Sequence, residues 1–220
     1  MNNKQNKVIV FDMDGVIFDS ERATLACWAD VAVEYGLEEI EDTYMKTIGV
    51  TKEASRQIVL DAYGQDFDYD EFEAKTIDLY YDRYSGGRMP MKPGVNELLA
   101  FLAEDGWTIG LASSTRKSIV VSQLRDAGLL DYFTEIITGD MVERSKPNPD
   151  IYLAACSALG VAPADAYAVE DSFNGIRAAY SAGMKPIMVP DILGPDDEMH
   201  TKAVQIFEDL LQVRDYLQEM

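Results

Sequence analysis

Cysteine, histidine and positive charge are all scarce in this chain. Its two cysteines, Cys27 and Cys156, fall in apolar helical contexts rather than in a spaced framework. A disulfide scaffold is therefore excluded, and a reducing cytoplasm is the expected setting. The one histidine, His200, sits in Pro195-Asp196-Asp197-Glu198-Met199-His200 near the end and reads as a surface residue. Lys and Arg total 19 against 39 Asp and Glu, for a formal net charge of −20. Nucleic acid and anionic membrane both require clustered basic side chains, so neither is expected as a partner. An anionic substrate would be repelled by the global field, so local cations or a bound metal would have to reverse the sign inside its site. Long hydrophobic runs are missing too. The stretch from Val8 to Phe18 is broken by Asp12 and Asp14, is too short to span a bilayer, and precedes no small-residue cleavage site.

What is present is enough for a sizeable core. The chain has 220 residues and 47% hydrophobic content, which suits one large α/β domain or a core with a small insertion. Five short β-type runs stand out: Val8 to Phe11, Thr108 to Ala112, Glu135 to Ile137, Ala166 to Val169, and Pro186 to Val189. Helical stretches precede the last four, over Gly94 to Glu104, Lys117 to Ala127, Pro149 to Leu159 and Asn174 to Ala182, each stopped at a glycine. Alternating strand and helix predicts an α/β fold, a Rossmann-like parallel sheet with helices on both faces.

From about Ser20 to Ser85 the rhythm changes to helical periodicity with no strand-like run, as in Ala23, Trp28, Val31 and Tyr35, and less regularly in Ile58, Leu60, Ala62 and Tyr63. This predicts an inserted all-helical unit. Its acidic residues, including Glu38, Glu39, Asp66, Asp70 and Glu73, read as solvated faces, and Tyr80, Tyr81 and Tyr84 as helix packing. Ser85-Gly86-Gly87 makes a hinge back to the core. The expected boundaries are 1–17 and 88–220 for the α/β core and 18–87 for the helical cap. No internal repeat or low-complexity tract is present.

The polar residues that end the expected strands point to chemistry. Four apolar residues run into Asp12-Met13-Asp14-Gly15-Val16, which puts two carboxylates where a buried strand meets a loop and ligands of open α/β folds bind. The plainer reading is a turn, since Asp and Gly favour turns. A calcium loop also begins Asp-x-Asp-Gly, but Val16-Ile17-Phe18 supplies no further ligand. The second strand ends in Ser113-Ser114-Thr115, the fourth in Glu170-Asp171-Ser172, and Lys146 precedes the helix that opens at Pro149. Ser113, Asp171 and Ser172 could instead cap helices, and Lys146 could be a surface lysine. Together at one sheet edge, these groups suit phosphoryl transfer. Crowded carboxylates repel unless a cation such as Mg²⁺ shares them, while Lys146, Ser113 and backbone amides would hold phosphate oxygens.

In that order, Asp12-Met13-Asp14-Gly15-Val16, Leu111-Ala112-Ser113, Lys146-Pro147-Asn148-Pro149-Asp150 and Glu170-Asp171-Ser172-Phe173-Asn174-Gly175 resemble the four motifs of the haloacid dehalogenase superfamily, in its β-phosphoglucomutase-like subgroup with a small helical cap. The resemblance implies that Asp12 is the nucleophile that forms an aspartyl-phosphate and that Asp14 is the general acid and base. It implies that Ser113 and Lys146 bind the phosphoryl group. It further implies Mg²⁺ held by Asp12, Asp171, Glu170 and the main-chain carbonyl of Asp14. The second aspartate, Asp14, disfavours dehalogenation.

In the mutases of that subgroup the first cap helix carries a His where this chain has Thr24, and a cap Arg stands where this chain has Lys52, in Gly49-Val50-Thr51-Lys52. Lysine keeps the charge but loses the bidentate fork. The expectation is therefore a Mg²⁺-dependent phosphatase, a phosphoric monoester hydrolase acting on a small phosphorylated metabolite such as a sugar phosphate. A hexose-phosphate mutase and a non-catalytic phosphate or metal sensor are the alternatives. Ser114, Lys52, Lys75, Arg116 and Lys117 are the expected substrate-binding residues, the cap is expected to open and close about its linkers, and a cytoplasmic monomer is expected.

Overall fold

The run Val8–Phe11 is buried along its whole length, which in a strand requires cover on both faces. A computed structural model describes residues 7–220, and the first six residues of the expected core segment lie outside it. The described residues form six strands, β1 (Val8–Phe11), β2 (Thr108–Ser113), β3 (Glu135–Thr138), β4 (Ala166–Glu170), β5 (Lys185–Met188) and β6 (Gln205–Ile206). They also form ten α-helices: α1 (Ser20–Tyr35), α2 (Ile40–Thr47), α3 (Lys52–Tyr63), α4 (Tyr69–Tyr84), α5 (Val95–Glu104), α6 (Lys117–Asp126), α7 (Asp150–Ala158), α8 (Phe173–Ser181), α9 (Asp197–Lys202) and α10 (Leu210–Gln218). The strands make one parallel sheet in the order β3-β2-β1-β4-β5-β6, the Rossmann-like α/β arrangement the sequence pattern predicts. Its order reverses at β1, between β2 and β4, and such a switch opens a crevice at the carboxyl ends of the strands.

One face of the sheet shows how small residues position the helices. Val8 and Val10 share that face with Ala112, Ala166 and Ala168, and pack on Ile151, Tyr152, Ala155 and Cys156 of α7 and on Ala178 and Ala179 of α8. At Gly110 a Cβ would stand 2.8 Å from Leu159 Cδ1, so the bare backbone of β2 leaves room for that methyl just after α7. Cys27 and Cys156 are free and buried, and burial pushes the Cys156 thiol up to about 11, which makes it a packing residue rather than a nucleophile.

By internal contacts the chain divides into one unit ending at Asp19 and resuming at Met91–Met220, and a second unit, Ser20–Pro90. The second is α1 to α4, closed around Trp28, Val31, Tyr44, Val59 and Phe72. Trp28 meets Phe72 edge-on at 5.2 Å and Tyr44 at 5.1 Å, the geometry that aromatic quadrupoles favour. In α3 the buried residue is Val59, while Ile58 and Leu60 are only half-buried and Ala62 is exposed. Leu60 and Tyr63 of the expected face do pack against that cluster, beside Val59. β5 begins at Lys185 and ends at Met188, one residue before the expected Pro186 to Val189. Two helices and a two-residue strand near the end, α9, α10 and β6, have no counterpart in the expected pattern. His200 is exposed on α9. No helix among the described residues is long and apolar enough to cross a membrane.

Candidate active site

At the carboxyl end of β1 the strand stops at Phe11, and the Asp12 amide donates to Val169 O of β4 at 2.9 Å. The chain then winds into a tight turn, with Ile17 N on Met13 O at 2.9 Å and Gly15 N on Phe18 O at 2.9 Å. Gly15 adopts φ +78°, a left-handed value that glycine alone takes without strain. Strand alternation therefore ends before Asp14, and the two aspartates go to different neighbours. Asp14 Oδ2 accepts the Thr115 hydroxyl at 2.8 Å, whereas Asp12 Oδ1 accepts from Lys146 Nζ at 2.7 Å.

β4 delivers Glu170 on the same sheet face as Ala166 and Ala168. Glu170 is completely buried and is held by three side-chain donors, Lys146 Nζ at 2.7 Å, the Tyr152 hydroxyl at 2.6 Å and the Ser172 hydroxyl at 3.2 Å, and by the Ser172 amide at 3.4 Å. Lys146 also donates to Ala112 O at 3.0 Å and lies 5.2 Å from the Tyr152 ring centre. This lysine thus ties β2, the Asp12 loop and β4 together. Gly175, in the first turn of α8, presses on Glu170 so closely that a Cβ there would fall 1.9 Å from its carboxyl carbon. Asp171 is packed as closely on Gly15, its Oδ2 lying 2.2 Å from where a Gly15 Cβ would be.

Asp12, Glu170 and Asp171 can each turn one oxygen to within 4.8 Å of the others. Burial pushes Asp12 up to about 7, with Glu170 and Asp14 adding to it and Lys146 opposing. Asp171 is driven well above the carboxylate range by burial and by Glu170 and Asp12. Burial disfavours the Lys146 charge, but Asp12 and Glu170 outweigh it and hold the ammonium above its usual value. Three carboxylates face one ammonium, so the cluster has more negative charge than its own cation balances. An oxygen-only donor set with an unmet charge fits a hard divalent cation such as Mg²⁺.

Ser113 is fully buried, and its Oγ accepts Thr115 N at 3.0 Å. It shapes the turn after β2 rather than capping α6, whose preceding residue is Arg116. Ser172 does cap α8, accepting Gly175 N at 3.0 Å. Ser114, Arg116 and Lys117 are exposed beside that turn, and the Lys117 amide is taken by Asp140 at 3.1 Å. In the helical unit, Lys52 pairs with Glu73 at 2.7 Å, while Lys75 pairs with Glu34 at 3.2 Å and stands over the Tyr35 ring at 4.8 Å. Thr115, expected only as part of the strand-end loop, holds Asp14, and Tyr152 is a site residue that the sequence pattern does not single out. In sequence Tyr152 reads like any apolar position of a core helix.

Several known proteins resemble the chain along most of its length. The phosphorylated carbohydrates phosphatase of Thermotoga maritima is 32% identical over 181 residues, which are 82% of this chain and 83% of that protein. The beta-phosphoglucomutase of Bacillus subtilis is 32% identical over 184 residues, 81% of this chain and 80% of that one. The crystal structure of CbbY from Rhodobacter sphaeroides in complex with phosphate superposes with a TM-score of 0.72 at 25% identity, over 94% of this chain and 96% of the other. The haloacid dehalogenase-like hydrolase pattern fits residues 9–189, and the chain belongs to that family.

Proposed function

We propose that this haloacid dehalogenase-like hydrolase is a Mg²⁺-dependent phosphatase that hydrolyses small phosphomonoesters, sugar phosphates foremost, through an aspartyl-phosphate on Asp12. The observation that carries the reading is the divergence of the two aspartates: Asp12 is bound to Lys146 and Asp14 to Thr115. Phosphoric monoester hydrolysis is also the activity in the name of the Thermotoga maritima relative.

Asp12, Glu170 and Asp171, with the main-chain carbonyl of Asp14, would hold the metal. When bound, it would neutralise carboxylate and phosphoryl oxygens in one place. The chain's own residues divide the remaining work. Asp12 presents its second oxygen, the one Lys146 does not hold, to phosphorus. As the new oxygen–phosphorus bond forms, the ester oxygen leaves and takes a proton from Asp14. Asp14 then removes a proton from a water, whose oxygen attacks the phosphorus, frees phosphate and returns Asp12 as a carboxylate. The Thr115 hydroxyl keeps the Asp14 carboxyl in one orientation through both steps. Lys146 offsets the negative charge of the three transferring oxygens, and Ser113 maintains the turn after β2 through the Thr115 amide. Lys52, Lys75, Ser114, Arg116 and Lys117 are proposed to meet the rest of a small phosphorylated metabolite. A cytoplasmic monomer is proposed as the working form.

The named beta-phosphoglucomutase relative favours a hexose-phosphate mutase as the second reading. Against it, the Thr24 hydroxyl is spent on Ser20 O at 2.9 Å. A panel of phosphate esters assayed with Mg²⁺ separates the two. Stoichiometric phosphate release supports the phosphatase, and conversion of β-glucose 1-phosphate to glucose 6-phosphate without net release supports the mutase.

A further inference from the structure

The carboxyl group of Glu170 has little freedom to turn. Its flat face lies on Gly175, where a Cβ would stand 1.9 Å from the carboxyl carbon and 2.0 Å from each oxygen. Its two oxygens are held differently. Oε1 accepts from Lys146 Nζ at 2.7 Å and from the Tyr152 hydroxyl at 2.6 Å, two short bonds that account for both lone pairs of a carboxylate oxygen. Oε2 meets the Ser172 hydroxyl at 3.2 Å and the Ser172 amide at 3.4 Å, both long for such a bond.

Of the two donors on Oε1, Lys146 is explained by its charge and Tyr152 is not. Tyr152 is fully buried in α7 and belongs to the apolar cluster of Val8, Ala112, Ile151 and Ala155. Packing there calls for the ring alone, and a phenylalanine would fill the same place. A hydroxyl buried in such surroundings is costly unless it is bonded, and a carboxylate only accepts, so the Tyr152 hydroxyl donates to Glu170. The surrounding core fixes the ring, whereas Lys146 reaches Oε1 on a flexible four-carbon stem.

We propose that Tyr152 is a positioning residue that makes the cation site selective for Mg²⁺ over Ca²⁺, by occupying Glu170 Oε1 and leaving Oε2 as the one oxygen this carboxylate turns to the metal. The proposal rests on the cation site of the phosphatase reading and deepens it. Mg²⁺ takes ligands in an octahedron at about 2.0–2.1 Å, whereas Ca²⁺ takes six to eight oxygens at about 2.3–2.6 Å and often draws both oxygens of one carboxylate. For Glu170 to offer both, it would have to shed Tyr152 and Lys146 or swing its plane, which Gly175 obstructs. Partners that orient a metal ligand in this way typically change metal affinity by about 10- to 100-fold.

The test titrates Mg²⁺ and Ca²⁺ separately, by calorimetry, into the full chain stripped of metal with a chelator. Wild type, Tyr152→Phe and Tyr167→Phe are compared. The last loses a buried-ring hydroxyl toward the other end of β4, 3.5 Å from Met220 Sδ, and serves as a like-for-like control. The wild type is expected to bind Mg²⁺ more tightly than Ca²⁺. Tyr152→Phe is expected to shrink the ratio of the Ca²⁺ Kd to the Mg²⁺ Kd by about 10-fold, with Mg²⁺ weakened and Ca²⁺ strengthened, and Tyr167→Phe to leave that ratio in place. A merely structural role for the hydroxyl would shift both cations alike. A Ca²⁺ preference in the wild type, which needs no variant to read, overturns the inference, as does a ratio that Tyr152→Phe leaves unmoved or that Tyr167→Phe moves equally. These outcomes leave the Mg²⁺ site standing. Binding of neither cation by the wild type defeats the proposed cation site and this inference with it.

Discussion

Lys146 Nζ stands 2.7 Å from Asp12 Oδ1 and also 2.7 Å from Glu170 Oε1, so a single buried ammonium bridges the loop after β1 and the end of β4. Removing one partner of a buried, hydrogen-bonded ion pair leaves the others uncompensated, at a cost of about 3–5 kcal/mol. Lys146→Met is expected to lose that much unfolding free energy at pH 8. The loss shrinks at pH 5, because the orphaned carboxylates can take up protons. Urea denaturation at the two pH values measures this, and an equal loss at both would contradict it.

Without metal, the fold is expected to weaken as pH rises from about 5 to 8. Asp12, raised to about 7 by burial, and Asp171, raised well above its usual range, bind more protons folded than unfolded. Their contribution is complete below the ordinary carboxylate pKa and drains as pH climbs through the raised values. The carboxylates shifted the other way, Asp70, Asp105, Asp140, Asp150 and Glu198, are solvent-facing and act only below that window. Thermal melts in a chelating buffer would show the decline, and added Mg²⁺ is expected to reverse it in a concentration-dependent way. A flat profile that Mg²⁺ leaves unchanged would refute the proposed cation site.

Gly15→Ala combines two costs, a φ of +78° and a Cβ placed 2.2 Å from Asp171 Oδ2. The backbone part alone amounts to about 1–2 kcal/mol, and Asp171 must also move. Weaker Mg²⁺ binding by calorimetry, beyond any change in melting temperature, is the expected signature.

In the helical unit, Phe72 is fully buried among Trp28, Tyr35 and Phe67. Phe72→Ala is expected to cost about 3–5 kcal/mol, read as faster hydrogen exchange across α1 and α4.

Most of the sheet was legible because each strand from β1 to β5 is a short apolar run between glycines, prolines or acidic residues. β6 is only Gln205–Ile206, too short to carry a period. α10 does show Leu210, Val213 and Leu217 at helical spacing, a signal present but passed over so near the chain's end. The candidate site was readable where a polar residue interrupts an apolar strand end, as at Asp12 and Glu170. It was not readable where the partner is remote. Nothing local tells that Tyr152 reaches Glu170, that Thr115 holds Asp14, or that Glu73 neutralises Lys52. These pairings exist only once the chain has folded. Tyr80, expected as helix packing, does meet Tyr81 and Tyr84 edge-on, and Tyr80 and Tyr81 also line a cavity of the helical unit.

The central claim is that Asp12 carries the phosphoryl group. Rapid acid quench of the enzyme turning over a hydrolysable monoester with Mg²⁺, followed by peptide mapping, tests it directly. The label is expected on the peptide containing Asp12, with hydroxylamine sensitivity, and Asp12→Asn is expected to abolish it while lowering turnover by about three orders of magnitude. A phosphoryl group found on another residue, or turnover that persists in Asp12→Asn, would contradict the account.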